Sequence, residues 1–343
     1  MTSGDHIRLA ILGCGAVTEL GHLPAIAQVA DVRVTTLIDT NAARRDRLAV
    51  AFGVEHTAAD IDGCLDRFDA AIIALPHALH APASIQLLKN RKSVLVEKPI
   101  ALTAVECDAM IEAADGTSAV LAVGLVRRFL RSVQFARAVI AQGLLGKIES
   151  FDFREGNVYN WPVASDFFFR REAAGGGVLV DTGAHTLDTL LYLLGDFAEV
   201  EYFDDAEGGV DANCLLNVRL ENGTSGTVEL SRTRRLRNTA IIRGARATLE
   251  LAPNSNQVKL SLRDQSHLLA GSVGELGVTD QAQDYLQLLA SQLRDFLVAM
   301  KTGRPPVTDG RSASLSVRLM EACYKQRKPL DLPWENPALG ATN

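Results

Sequence analysis

Covalent cross-links and metal clusters find little support in this sequence. Its five cysteines are scattered along 343 residues, odd in number and without CxxC spacing. This usage fits neither a disulfide framework nor a zinc site. We therefore predict reduced cysteines and no bound metal.

Positive charge is also scarce. The net charge is −6 at pH 7, whereas a nucleic-acid binder needs clustered lysines and arginines to neutralise phosphates. The densest basic stretch, "RTRRLRN" at 232–238, lies between predicted strands and is typical of a solvated hairpin. We expect no nucleic-acid partner.

Long apolar runs are missing as well. No stretch reaches the ~18 uninterrupted apolar residues of a membrane span. The start "MTSGDHIRLAIL" lacks the basic segment and long apolar segment of a secretory signal. These observations predict no membrane partner and a cytoplasmic protein.

The pattern that is present predicts an α/β protein of two domains. Up to about residue 125, short strands such as "IRLAIL" and "DAAIIAL" alternate with helical stretches and are apolar throughout, as expected for a doubly wound parallel sheet of the Rossmann type. Residues 126–343 then give strand after strand with short turns, which indicates an α+β domain on a large, mostly antiparallel open sheet. We expect this domain to bind substrate and to form a homodimer or homotetramer, with the C-terminal helix packing back on residues 1–125.

A dinucleotide site is predicted where the first strand enters a glycine-rich turn. "IRLAILGCGAVTELG" places Gly13 and Gly15 before a helix, as pyrophosphate binding requires, although Thr18 replaces the third glycine of the fingerprint. Asp39 follows Thr18 by about 20 residues, the spacing of an acid that binds the adenosine ribose. A carboxylate there favours NAD over NADP. The nearby Arg44 and Arg45 weaken that preference.

The first candidate for chemistry is "VLVEKPI" at 94–100, a buried strand that ends in Glu97, Lys98 and Pro99. Ligands of open parallel sheets bind beyond the carboxyl ends of the strands, so these residues lie where the nicotinamide is expected. An ammonium there could bind a substrate hydroxyl and assist proton transfer. The alternative is a surface Glu–Lys pair.

The second candidate is "GGGVLVDTGAHTLDTLLYLLGD" at 175–196. At 100° per residue, Asp181, His185, Asp188 and Tyr192 lie opposite a leucine face. An Asp and a His one helical turn apart can move a proton near neutral pH. The alternative is a solvated polar face with Asp181 as the helix N-cap.

These motifs, with "FLVAMKTGRPPV" near the end, resemble the Gfo/Idh/MocA family of dinucleotide-dependent oxidoreductases over nearly the whole chain. The resemblance implies that Lys98 is the catalytic lysine and that Asp181 and His185 form the family's D-x-x-x-H motif. It implies hydride transfer between NAD(P) and a secondary alcohol or ketone of a sugar or polyol. It also admits an NAD-dependent glycosidase or a non-catalytic NAD-sensing regulator.

The resemblance also implies further site residues. In "ALPHALHAP", His80 matches the usual histidine, but His77 replaces the common asparagine, and in "VGLVRRF" Arg127 or Arg128 could reach the cofactor or substrate. The predicted cofactor-binding residues are Gly13, Gly15, Ala16, Val17, Asp39, Thr40, Leu75, Pro76, His80, Glu97, Lys98 and Arg127. The candidate substrate residues, which otherwise serve in packing or at a dimer surface, are Arg154, Tyr159 and Trp161.

Overall fold

The computed structural model describes residues 6–160, 169–263, 268–274, 277–278 and 284–330. They form two β-sheets with helices packed against them. The predicted fold class is confirmed.

The first sheet has six strands in the order β3-β2-β1-β4-β5-β6, with every neighbouring pair parallel. Its central strands β1, β4 and β5 are mostly apolar and buried, because helices cover both sides. The chain order reverses on either side of β1, so a crevice opens at the carboxyl ends of β1 and β4. The strands are β1 Ile7–Leu12, β2 Val32–Ile38, β3 His56–Ala58, β4 Ala70–Ile73, β5 Ser93–Val96 and β6 Leu121–Val123.

The helices of this half follow the strands in turn. A π-helical turn, Thr18–His22, leads into α1, and a capping box between Thr103 and Glu106 begins α4. The helices are α1 Leu23–Ile26, α2 Ala42–Phe52, α3 His80–Lys89 and α4 Ala104–Asp115.

The second sheet has ten strands in the order β15-β14-β13-β12-β11-β7-β10-β9-β8-β16. Pairing is antiparallel except for β7 with β10 and β8 with β16. The strands are β7 Ile148–Gly156, β8 Phe197–Asp204, β9 Asn213–Leu220, β10 Ser225–Ser231, β11 Thr239–Gly244, β12 Ala247–Leu251, β13 Gln257–Leu262, β14 Leu268–Gly274, β15 Gly277–Val278 and β16 Arg327–Pro329.

The two faces of this sheet differ. Along β7, Phe151, Phe153 and Glu155 are buried against helices, whereas Asp152 and Arg154 alternate with them on the other face. The helices of this half are α5 Arg131–Ala141, α6 Arg171–Ala174, α7 Val178–Leu194, α8 Tyr285–Thr302 and α9 Gly310–Lys325.

The last two helices connect the halves. Helix α8 packs on α1, and α9 packs on α4 and β6. The backbone N–H of Val123 donates to the carbonyl of Thr308 at 2.9 Å, which attaches the loop before α9 to the edge of the first sheet. Within the described ranges, no helix has the length and apolarity to cross a membrane, and no three His, Cys, Asp or Glu side chains are grouped to hold a metal ion.

Candidate active site

The glycine turn after β1 has the shape that a pyrophosphate requires. Gly13 has φ +96°, and a Cβ there would lie 2.2 Å from the carbonyl oxygen of Ala74, so only glycine fits. At Gly15 a Cβ would meet no atom within 4 Å. The turn is therefore closed on the protein side and open on the side where a dinucleotide would lie.

Asp39 holds this turn in place. Its carboxylate accepts hydrogen bonds from the backbone N–H of Cys14 and of Asn41, both at 2.7 Å, which joins the end of β2 to the turn after β1. The hydroxyl of Thr18 donates to the carbonyl of Gly13 at 2.6 Å. Thr18 thus stabilises the turn from within, which accounts for its presence where the fingerprint has glycine.

The other predicted cofactor residues around the turn lie at the same sheet edge. Ala16 and Val17 follow the glycines, Thr40 is exposed just after β2, and Leu75 and Pro76 follow β4. The structure therefore brings these residues to one crevice, at the carboxyl ends of three neighbouring strands.

Lys98 and Asp181 meet across the two halves of the protein. The Lys98 ammonium donates to Asp181 Oδ1 at 2.7 Å and to the Asp181 backbone carbonyl at 2.9 Å. Burial favours a protonated Asp181, but the Lys98 ammonium outweighs it and holds the pKa of that carboxyl below its ordinary value. The Lys98–Pro99 peptide bond is cis. An ammonium has three donors, so one remains for a ligand.

His185 lies one turn after Asp181 on α7. Within the described part of the chain its imidazole makes no hydrogen bond, and Nδ1 is buried. Burial, followed by the charges of Arg127 and Lys98, lowers the pKa of His185 well below its ordinary value. The ring is therefore a neutral base at physiological pH.

The N-terminus of α7 is capped by Asp211, not by Asp181. The Asp211 carboxylate accepts the backbone N–H of Gly177 and of Leu179, each at 2.8 Å, and the hydroxyl of Tyr324 at 2.7 Å. The alternative of Asp181 as N-cap is therefore wrong. Because the buried Asp211 supplies the acceptors, Asp181 is left to pair with Lys98.

Glu97 faces inward toward a histidine that sequence reasoning missed. Glu97 Oε1 lies 2.8 Å from His22 Nε2, and Oε2 accepts the backbone N–H of Lys98 at 3.3 Å. Burial acts to raise the pKa of Glu97, but His22 and Lys98 keep it below the ordinary value. The resemblance implies a place for Glu97 against the nicotinamide. In the structure its carboxylate binds the helical turn after the glycines, and only the spacing of His22 from that turn could have indicated this pair.

Two histidines after β4 connect the crevice to other parts of the chain. The buried ring of His80 lies between the carbonyls of Pro99, 2.8 Å from Nδ1, and Leu75, 2.9 Å from Nε2. The Nδ1 of His77 lies 2.8 Å from the carbonyl of Ala174, and burial lowers the pKa of His77 to about 3. His77 therefore joins the crevice to the start of the second half as an uncharged ring.

The two arginines after β6 are engaged within the protein. Arg127 makes two hydrogen bonds of 2.7 Å to Glu155, and both side chains are buried. Arg128 makes a similar pair with Asp188, at 2.6 and 3.0 Å. Arg127 influences His185 through its charge, but its guanidinium is already held by Glu155.

The three candidate substrate residues differ in whether the structure brings them to this cluster. Burial, followed by the nearby charge of Asp181, raises the pKa of the Tyr159 phenol, and its buried Oη has no hydrogen-bond partner in the described ranges. Arg154 is 49% exposed on the other face of the sheet and pairs with Asp152 at 2.9 Å, so it is not brought to this cluster. Trp161 lies outside the described residues.

Arg232 lies near this cluster, although the sequence did not single it out. The stretch 232–238 has the composition of a solvated hairpin, yet its first residue directly follows β10 and its carbonyl accepts the N–H of Tyr159 at 2.9 Å. The charge of Arg232 acts on both Asp181 and Tyr159. Its position just past a strand end was the only available signal.

Comparisons with known proteins identify the family of the chain. Residues 7–125 match the profile described as "Oxidoreductase family, NAD-binding Rossmann fold", and residues 133–250 match the GFO/IDH/MocA C-terminal domain. The chain belongs to the Gfo/Idh/MocA family of oxidoreductases, and residues 7–125 are its NAD-binding Rossmann domain.

Individual relatives are more distant. Inositol 2-dehydrogenase of Rhizobium meliloti (strain 1021) is 23% identical over 329 residues, which cover 93% of this chain and 96% of that protein. D-glucoside 3-dehydrogenase of Escherichia coli (strain K12) is 29% identical over 200 residues, 57% of this chain and 56% of that protein. The solved structure of levoglucosan dehydrogenase with NADH and levoglucosan superposes with a TM-score of 0.84 at 22% identity, over 94% of this chain and 97% of that one.

Proposed function

We propose that the protein is an NAD-dependent dehydrogenase that reversibly oxidises a secondary alcohol of a sugar or polyol, with Lys98, Asp181 and His185 as its catalytic residues. One observation carries the proposal. The Lys98–Asp181 pair at 2.7 Å and the unengaged imidazole of His185 lie together at the carboxyl edge of the NAD-binding sheet. The names of the relatives, which are dehydrogenases of inositol and of glucosides, support the substrate class.

Bound NAD supplies the hydride acceptor, and the chain supplies the proton transfer. His185, neutral because burial and two nearby cations lower its pKa, accepts the proton of the substrate hydroxyl as the C–H bond is broken. The remaining Lys98 proton donates to the same oxygen, which stabilises the negative charge that develops there. Asp181 fixes the position of the Lys98 ammonium through two hydrogen bonds. In the reverse direction His185 returns the proton to the alkoxide.

The residues at the crevice fit NAD. Gly15 leaves open space for the pyrophosphate, and Asp39, whose two oxygens each have one backbone partner, retains lone pairs for the ribose hydroxyls. Of the adjacent arginines, Arg45 donates to Asp46 at 2.8 Å. Asp39 would repel a 2′-phosphate, so NAD is the preferred cofactor.

We further propose a division near residue 125, with 1–125 binding NAD and 126–343 supplying substrate contacts. The uncovered face of the second sheet is the surface for a homodimer or homotetramer, because alternating residues of β7 present it to solvent. We also propose a cytoplasmic location. Light scattering on the purified chain tests the assembly, and a monomer at micromolar concentration would contradict it.

The test of function is NADH absorbance with NAD and a panel of inositols, aldoses, glycosides and sugar acids, run in reverse with the corresponding keto compounds and NADH. We expect turnover with at least one class. If the protein binds NADH by titration but turns over nothing in either direction, the proposal fails. Release of a labelled aglycone without net NADH would instead identify a glycosidase.

A further inference from the structure

The basic loop 232–238 places its arginines in different surroundings. Arg234 contacts Glu229 and Asn213, and Arg237 donates to Glu250 at 2.9 Å. Arg235 is exposed to solvent. Arg232 is partly buried, and in the described ranges no hydrogen bond or ion pair to its guanidinium is found.

The backbone holds Arg232 at the edge of the catalytic cluster. Its N–H donates to the carbonyl of Ala212 and its carbonyl accepts from Tyr159, both at 2.9 Å. These bonds fix the residue between Ala212, which follows the α7-capping Asp211 and precedes β9, and the chain that leaves β7. It is near enough for its charge to act on Asp181 and on the Tyr159 phenol.

The charged side chains near the cluster differ in whether they have an ion-pair partner. Lys98 is matched by Asp181, and Arg127 by Glu155, with both ion pairs at 2.7 Å. His185 is neutral. Glu97 lies 2.8 Å from His22, whereas Arg232 is left without an anionic partner among the described residues. A guanidinium that makes no ion pair within the protein keeps its donors for a ligand.

We propose that Arg232 binds an anionic substituent of the substrate, and that the substrate is a sugar acid whose carboxylate makes a two-point hydrogen bond with the guanidinium. This rests on the proposed dehydrogenase function. A guanidinium fits a carboxylate or a phosphate. One cation matches the single charge of a carboxylate better than the near-double charge of a phosphate. The Tyr159 hydroxyl, which lacks a partner within the described ranges, lies beside the same substituent.

The experiment compares matched neutral and anionic substrates: glucose with glucuronate and glucose 6-phosphate, and galactose with galacturonate. It uses the wild-type chain, Arg232→Gln and the control Arg235→Gln, which makes the same change at an exposed position of the same loop. In wild type we expect the acid to exceed its neutral partner at least ~10-fold in kcat/KM. In R232Q the acid should lose ~10- to 100-fold, mainly through KM, with the neutral sugar changed less than about twofold and R235Q unchanged. If wild type prefers glucose 6-phosphate and R232Q loses that preference, the anion site is supported and its ligand is a phosphate.

A binding measurement separates this inference from the proposed function. Glucuronate is titrated into the NADH-bound wild type and R232Q, with NADH fluorescence as the signal. Tighter binding to wild type than to R232Q supports the anion site even if no sugar is turned over. Equal binding to both, or equal loss of neutral and acid turnover in R232Q, overturns the inference while dehydrogenase activity stands.

Discussion

Helix α7 carries two groups of polar side chains within a few turns, and they differ in how completely the protein satisfies them. Asp188 pairs with Arg128, and both side chains are 2% exposed. Arg128 also donates to the carbonyl of Val307 at 2.9 Å and to Ser312 at 2.8 Å. In contrast, the His185 ring has no hydrogen bond in the described part of the chain.

This difference separates polar side chains that stabilise the fold from polar side chains that remain available for catalysis. A buried ion pair that the protein encloses is out of reach of a ligand, and removing one partner leaves a desolvated charge. A buried ring with unused capacity costs stability in the free protein, and a ligand can recover that cost. The alternative of one solvated polar face on α7 is therefore wrong. The face is buried at Asp188 and only partly exposed at Asp181, His185 and Tyr192, and its residues have two different roles.

The largest expected effect is on folding. Asp188→Asn removes the charge opposite Arg128 while keeping the side-chain shape, so we expect a loss of about 3–5 kcal/mol in the free energy of unfolding. Urea unfolding measures it. Glu199→Gln is the control, since its pair with Arg219 is exposed on the surface of the same domain and a surface pair contributes about 0–1 kcal/mol. Similar losses in both variants would break the distinction.

The next effect is on chemistry. Lys98→Met and His185→Asn should each lower kcat by ~10²-fold or more, the scale of a positioned acid or base, with NAD binding and melting temperature nearly unchanged. Steady-state kinetics on a confirmed substrate, NADH titration and thermal unfolding measure these quantities. Lys89→Met on the exposed end of α3 serves as control. Wild-type turnover in either site variant would refute the assignment.

A smaller effect is expected from the cap of α7, whose removal should lower both stability and catalytic rate. Asp211→Ala removes the cap of α7 and should cost about 1–2 kcal/mol of stability, together with ~10-fold in kcat because Asp181 and His185 lose their alignment. Asp309→Ala, which removes the cap of α9, should cost similar stability and leave kcat unchanged. Equal kcat in the two variants would show that the cap of α7 has no catalytic consequence.

The smallest expected effect is on pH dependence. His185 must be neutral to accept a proton, and its pKa is lowered well below the ordinary ~6.5, so the active form persists as pH falls through that value. The kcat/KM for oxidation should change less than about twofold between pH 8 and pH 6 from this group. A half-maximal point near pH 6.5 that disappears in His185→Asn would show an unshifted histidine.

Much of this arrangement can be predicted from the amino-acid sequence alone. The apolar strands predict a parallel sheet, and the position of Lys98 at a strand end predicts its place at the crevice. The spacing of Asp181 and His185 predicts one helix face. Each of these inferences depends on local periodicity and on the rule for strand edges, so the order of residues along the chain is enough to carry them.

The partners of the charged side chains could be assigned only from the tertiary structure, because hydrogen bonding depends on distance in space and not on spacing along the chain. The sequence contains four arginines in 232–238 and two at 127–128, and nothing in their spacing tells which are neutralised. Glu155 on β7 neutralises Arg127, and Asp188 on α7 neutralises Arg128. Arg232 influences the pKa of Asp181 through its charge but has no ion-pair partner among the described residues. Composition and periodicity determined the two sheets and the catalytic edge. The packing of distant elements decided which charges remain available to a substrate.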